Sequence, residues 1–423
     1  MKICLLGNMN NSHYVLAKLL RRNGINAYLI LFETDKLYLP EQEDSFLLNG
    51  YPDWIKRVRW GSVGSLLFTS SKKLRLDLTG FDLYVICGQG PLFLKKARID
   101  KYIFLPYGCD LYLLTSKKAL TRAVKEIYGF FACLLSYLPI IFFSEMQKKA
   151  IQEAIAVSII LEAPYYKEIQ RLKLNSKTIS LGIPLDLVKF KADNLNNEII
   201  HNTQNEKIKT LIHKRKEYEI LVFAPARHEW RKDLPDPNNN KGNDILIKGV
   251  SKAIKEKGIR ILLVLVEWGR DFLLSKKLIK ELSIEENVVW IPRVPREELR
   301  YYYYLSDIVA DQFCAGGHGV LALEVLALEK VLLTYINNDF EITAKRPVPP
   351  CLNAKTPEQI CAMLADFATN RKAYANMGKR GRQWVENYHG DGLVEEYIRL
   401  FKHILNGKDI REFIPSFEKE IES

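Results

Sequence analysis

An α/β chain of two Rossmann-like domains is predicted by three features of the 423 residues. Short apolar strands alternate with amphipathic helical stretches through both halves, the pattern of βα units wound around parallel sheets. The length exceeds what one hydrophobic core covers, and 48% apolar content suffices for two. Near the middle, Gly182-Ile183-Pro184 breaks the periodicity after a short strand, and the proline disfavours helix at Ile183.

In the first half the apolar runs 3–6, 27–30, 83–86, 101–105, 140–143 and 157–160 read as strands. The first leads through Gly7-Asn8-Met9-Asn10-Asn11-Ser12-His13 into a helix over 14–22, which Asn23-Gly24 ends because glycine suits the left-handed cap. With only Gly7 in that loop, a dinucleotide fingerprint is not expected there. In the second half the strands fall at 220–223, 261–265, 288–291, 308–310 and 331–334. Residues 193–216 are polar and Asn-rich, which predicts a surface insertion or a helix with little packing. The run Tyr301 to Tyr304 is expected to divide between a buried face and the surface of one helix, and late helices are expected over 377–388 and 393–405. The domains predicted are 1–182, 183–388 and a terminal helix with its tail at 389–423.

Composition narrows the class. No run of about 20 apolar residues suggests a membrane span, and the chain enters a strand at once, so a cytoplasmic protein without a signal peptide is expected. Seven scattered cysteines without a Cys-x-x-Cys pair argue against zinc and against a disulfide framework. The net charge of +12 is uneven: residues 1–180 hold 25 Lys and Arg against 15 Asp and Glu, a surplus of 10 that leaves 2 for the rest. Its clusters, such as Lys117-Lys118-Arg122-Lys125 beside the apolar run 127–143, suit peripheral contact with an anionic membrane. Nucleic acid is not expected as a partner, because no nucleic-acid motif accompanies the charge.

Residues 311–334 carry the chemistry. Gly316, Gly317 and Gly319, with His318 between them, open an apolar helix that begins at Val320 and holds Glu324. Glycines let a backbone approach a ligand closely, and the helix N-terminus favours a diphosphate. A carboxylate one turn in can accept hydrogen bonds from ribose hydroxyls. Beyond the preceding strands, Arg227 follows 221–223 and Lys241-Gly242 precedes a helix, and such cations suit a leaving diphosphate. In the first half, Gly88-Gln89-Gly90 and Pro106-Tyr107-Gly108-Cys109-Asp110 converge at strand ends, where ligands of open α/β sheets gather. Asp110 is a candidate for binding an acceptor hydroxyl, with helix capping as its other reading.

The order Gly316, Gly317, Gly319, Glu324, then Val325 to Leu328 and an apolar strand, resembles the nucleotide-sugar site of group 1, family 4-like retaining glycosyltransferases of GT-B fold. The family's usual pattern sets two glutamates eight positions apart, and here Gly316 stands at the first and Glu329 where a glycine is usual. A sub-branch whose motif begins Asp-Gln is closer, as in Asp311-Gln312.

The resemblance implies two domains facing a central cleft, with an acceptor domain first, a donor domain second and a C-terminal helix returning to the first. It implies a UDP- or GDP-sugar as donor substrate, no further cofactor or metal, and a glycan or lipid-linked acceptor. Lys241 and Arg227 would meet charge on the diphosphate, Glu324 would hold the ribose, and the backbone at Gly316 to Val320 and at Arg293 and Val294 would hold diphosphate and base. His13 would contact acceptor or phosphates from its loop, unless that loop is merely solvated. A sugar-nucleotide epimerase of the same fold and a non-catalytic descendant that binds a glycan or protein are the alternatives. The epimerase would need acid/base carboxylates in the first domain.

Overall fold

The structure, a computed structural model, describes residues 1–36, 38–160, 163–191, 195, 206–231 and 239–418. The chain forms two compact units: Met1–Leu185 with Ile342–Arg346 and Gly390–Ser423, and Asp186–Glu341 with Pro347–His389.

Among the described residues the first unit holds a seven-stranded sheet of β1 (Lys2–Leu6), β2 (Asn26–Leu31), β3 (Ile55–Arg57), β4 (Leu83–Ile86), β5 (Tyr102–Phe104), β6 (Ala156–Ser158) and β7 (Thr178–Ile179). Its order is β3-β2-β1-β4-β5-β6-β7, and every pairing is parallel. Parallel strands are covered on both faces, so they are apolar at successive positions rather than alternate ones. Ile3, Leu5, Leu29 and Val85 join one core, while Cys4, Leu6, Ile30 and Ile86 join the other. The helix Asp391–Leu405 lays Leu393, Val394, Tyr397, Leu400 and Phe401 on the first of these. Their spacing is one face of a helix.

The run 140–143 is not a strand. It lies in the helix Tyr137–Glu153, whose buried positions Ile140, Phe143, Ser144, Gln147, Ala150 and Ile151 recur with helical spacing. The β-branched and aromatic residues that suggested a strand are overridden by this longer period. The short edge strand β3 escaped the sequence reading, since only one of its three residues is buried.

The second unit, among the described residues, holds a six-stranded sheet of β8 (Ile220–Ala224), β9 (Ile261–Val266), β10 (Val288–Ile291), β11 (Ile308–Ala310), β12 (Val331–Thr334) and β13 (Leu352–Asn353). The order is β10-β9-β8-β11-β12-β13, again all parallel. All positions of β8, β9, β11 and β12 are buried. The helix Arg296–Leu305 buries Tyr302 and Tyr303 and leaves Tyr301 and Tyr304 half-buried, the division expected of the tyrosine run. Of the insertion or sparsely packed helix expected at 193–216, the described part includes the helix Glu206–Arg215, which buries Ile208 and Leu211, and most of the remainder lies outside the described residues.

Candidate active site

In the second unit the carboxyl ends of β8 and β11 bring together Arg227, Lys241 and the glycine turn. Gly242 has φ +65°, and a Cβ there would lie 2.9 Å from Phe313 Cβ and 3.1 Å from Cys314 Sγ. Only glycine lets residues 241–243 pass this close to 313–314 and then start the helix Asn243–Lys257. Lys241 is fixed through its backbone, where Lys241 N donates to Glu229 O at 2.7 Å and Lys241 O accepts from Phe313 N at 3.0 Å.

Gln312 ties the cation to the turn. Lys241 Nζ donates to Gln312 Oε1 at 2.9 Å, and Gln312 Nε2 donates to Gly317 O at 2.7 Å. The backbone oxygen of Gln312 accepts from Thr334 Oγ1 and Tyr335 N, which fixes it against β12. Sequence reading used Asp311-Gln312 only as a family mark and missed this bridging role. Gln312 is buried at the end of β11, where a polar side chain needs partners.

The turn at Gly316 has room only for glycine. Its φ is +76°, and a Cβ would sit 3.1 Å from Asn337 Cβ and 3.2 Å from Tyr335 Cε1. A glutamate there would be strained in its backbone and crowded from its first carbon. Gly319 caps the helix Val320–Ala327, with Val320 at its first turn.

Glu324 is 2% exposed, and both of its oxygens are held. Arg296 Nε donates to Oε1 at 2.5 Å, and Tyr303 OH donates to Oε2 at 3.1 Å. This corrects the picture of a carboxylate open to ribose: a ribose must share the carboxylate with Arg296 and Tyr303. Burial, followed by the nearby Glu324 charge, pushes the Tyr303 hydroxyl well above its ordinary pKa, so it stays a donor. Arg296 and Tyr303 stand seven positions apart on one helix and therefore share a face.

Arg227 is half-buried, with Nε donating to Glu229 Oε2 at 2.9 Å and NH2 to Asn239 Oδ1 at 2.8 Å. A diphosphate would therefore compete with Glu229 for it. The Arg293 guanidinium lies 5.4 Å from the Trp268 ring centre, and Val294 beside it is half-buried. His318 is not a free phosphate ligand: its ring packs edge-on against Phe340, Trp384 and His389 at 5.5 to 5.6 Å.

The loop carrying Arg227 rests on His228, which is fully buried and pairs through Nδ1 with Ser275 Oγ at 2.8 Å. Burial lowers its pKa from 6.5 to about 4. The folded state thus binds fewer protons than the unfolded one between these values, and stability falls as pH drops from 6.5 toward 4. Between pH 7 and pH 5 this group is expected to cost about 2 kcal/mol. Melting His228→Gln at both pH values should show a smaller acid-induced drop in Tm than the parent, and an equal drop would refute the assignment.

In the first unit Asp110 is fully buried. Its Oδ2 accepts from Gly88 N and its Oδ1 from Tyr107 N, each at 2.9 Å. Burial raises its pKa to about 6, against the pull of these backbone donors. The carboxylate braces two strand-end loops with both oxygens engaged, which corrects its reading as a ligand for an acceptor hydroxyl. It is not a helix cap either, since the short helix Cys109–Tyr112 starts from Gly108. His13 is also fully buried, with Nδ1 donating to Gly7 O at 2.9 Å, and burial lowers its pKa to about 4. It is a neutral core histidine, neither a contact for acceptor or phosphates nor part of a solvated loop.

Residues 237–384 match the family model described as glycosyl transferases group 1. Comparison with curated proteins gives no match. The chain is similar to Anabaena Alr3699/HepE in complex with UDP and glucose (TM-score 0.62, 15% identity, 96% of this chain and 100% of that one). It is similar to sucrose-phosphate synthase from Thermosynechococcus elongatus (TM-score 0.63, 13% identity, 96% and 100%). It is also similar to WaaG, a glycosyltransferase involved in lipopolysaccharide biosynthesis (TM-score 0.58, 12% identity, 94% and 99%). At these identities the structural likeness speaks for the fold, and the family match speaks for the second unit. The chain has the GT-B fold, and within its second unit residues 237–384 are similar to the group 1 glycosyl transferases.

Proposed function

We propose that the protein transfers a sugar from a UDP- or GDP-sugar to a glycan or lipid-linked acceptor, with retention of configuration and without a metal ion, from a cytoplasmic station at an anionic membrane surface. The observation that carries this reading is the chain of contacts from Lys241 through Gln312 to Gly317, which sets an ammonium beside a glycine turn that opens a helix. Charge builds on the leaving diphosphate as the glycosidic bond breaks, and fixed cations stabilise it most where they need no reorganisation. Lys241 and Arg227 supply that charge, and the backbone of Gly316 to Val320 supplies N–H groups. The attacking hydroxyl forms the new bond on the face the diphosphate leaves, and its proton passes to a diphosphate oxygen. Glu324, held by Arg296 and Tyr303, is set to accept from ribose hydroxyls through its remaining lone pairs, while the backbone at Arg293 and Val294 is set to meet the base.

The epimerase alternative is disfavoured by Asp110, whose two oxygens are already engaged in a buried brace. The test is thermal-shift binding of UDP, GDP, ADP and CMP to the intact chain, Lys241→Ala and Glu324→Ala. Selective stabilisation by one nucleotide, weakened in both variants, is expected. No stabilisation by any nucleotide would sink the reading. Turnover unchanged by EDTA is the expected result for metal independence, and loss of turnover restored by a divalent ion would refute it.

A further inference from the structure

We propose that the hairpin of helices Lys117–Leu135 and Tyr137–Glu153 in the first unit is a bilayer anchor whose apolar turn enters the interface of an anionic membrane. Six large apolar residues at this turn, Tyr128, Phe130, Phe131, Leu134, Leu135 and Leu138, are between 62% and 83% exposed. Single exposed apolar residues are ordinary, but a contiguous group of this size marks an interaction surface. The hairpin is nevertheless seated: Ile140, Phe143, Ala150 and Ile151 on its second helix are buried.

The first helix is kinked at Gly129, with φ 86° and ψ 176°, a conformation open to glycine and strained for other residues. The kink sets the aromatic segment off from the basic one. Over the hairpin, residues 117–153, six Lys and Arg accompany three Glu. Lys117, Lys118, Arg122 and Lys125 are exposed, and Lys125 Nζ lies 5.8 Å from the centre of the Phe130 ring. Cations beside aromatic and aliphatic residues are what an anionic lipid interface attracts, with the ammonium groups reaching headgroups and the rings entering below them. Among the described residues no helix is long and apolar enough to cross a membrane, so the anchor lies in the interface rather than spanning it. A second copy of the chain fits this face less well, because a self-complementary contact would set the same positive charge against itself.

The hairpin is rooted beside Asp110. Gln147 on its second helix is fully buried and donates through Nε2 to Gly88 O at 2.9 Å, while Gly88 N donates to Asp110. An anchored hairpin would therefore hold this strand-end edge near the lipid surface and suit it to an amphiphilic, lipid-linked acceptor. The anionic membrane surface and the lipid-linked acceptor belong to the proposed function, on which this inference rests, and the hairpin as the anchor is what it adds.

The test is co-sedimentation of the full chain with vesicles of phosphatidylcholine alone and of phosphatidylcholine with phosphatidylglycerol. The wild type should sediment with the anionic vesicles, less with the neutral ones and less at high salt. Phe131→Ser/Leu135→Ser should lower binding at least about tenfold, and Lys118→Glu/Lys125→Glu should abolish the preference for anionic lipid. All four positions are exposed, so melting curves should be unchanged, and the nucleotide thermal shift reports separately on the donor site. Equal binding by parent and Phe131→Ser/Leu135→Ser, or no vesicle binding by the parent, would overturn the proposal. A parent that is dimeric and becomes monomeric in that variant without binding vesicles would assign the face to a second copy instead.

Discussion

Lys241→Ala is expected to lower kcat/KM by about 10²- to 10³-fold, the usual consequence of removing one preorganised group from a developing oxyanion. The lysine is held at both ends, by backbone bonds to Glu229 and Phe313 and by Nζ on Gln312, so its charge is fixed before the diphosphate arrives. The effect should fall mainly on kcat, because charge on the bridging oxygen grows as the glycosidic bond breaks. Arg227→Ala should cost less, since Glu229 already shares that guanidinium. Gln312→Ala gives the control: it leaves the ammonium in place but frees it, so the loss should be smaller and Lys241→Arg should not reproduce it. Steady-state kinetics with the donor that stabilises the protein would decide the matter. Equal kcat for parent and Lys241→Ala would remove this residue from catalysis.

Five strands of the second unit's sheet were legible because a parallel strand inside a sheet is an apolar run, and 220–223, 261–265, 288–291, 308–310 and 331–334 all stand in it, whereas the two-residue β13 at the edge, with Asn353 exposed, left no such run. The same rule misled at 140–143, where four apolar residues in a row belong to a helix whose buried positions extend to Ile151. The glycine turn and Lys241 could be read because both are backbone requirements: close approach and a left-handed φ leave a glycine in the sequence. What stayed hidden was pairing across distance. Nothing local ties Arg296 and Tyr303 to Glu324, 28 and 21 positions away, or Gln312 to Lys241, 71 away. Burial of Asp110 and His13 was equally invisible, since a polar residue after a strand looks the same whether it meets solvent or braces a neighbouring loop.

Gly378→Ala is expected to destabilise the second unit by about 3 kcal/mol or more, the upper range for overpacking where the obstacle cannot move. Gly378 lies buried in the helix Arg371–His389, and a Cβ on it would overlap the backbone oxygen of Glu329. Glu329 itself has φ 57°, in the tight turn between the helix Val320–Ala327 and β12, so it has little room to retreat. Gly381, one turn further on, gives the comparison: a Cβ there would meet Leu326 Cδ2 at 2.7 Å, the end of a flexible side chain that can rotate. Gly381→Ala should therefore cost clearly less. The consequence reaches the donor site because Arg382 NH1 on the same helix donates to Ala327 O at 2.8 Å and to Phe190 O at 2.7 Å, clamping the end of the helix that carries Glu324. Pushing Arg371–His389 away from Glu329 should thus shift Glu324 against Arg296 and Tyr303 and weaken nucleotide binding in whatever fraction remains folded. Thermal melts with and without nucleotide for the two glycine variants test both halves. A Gly378→Ala protein as stable as Gly381→Ala would show that this turn yields, and undiminished nucleotide stabilisation would show that the placement of Glu324 does not depend on it.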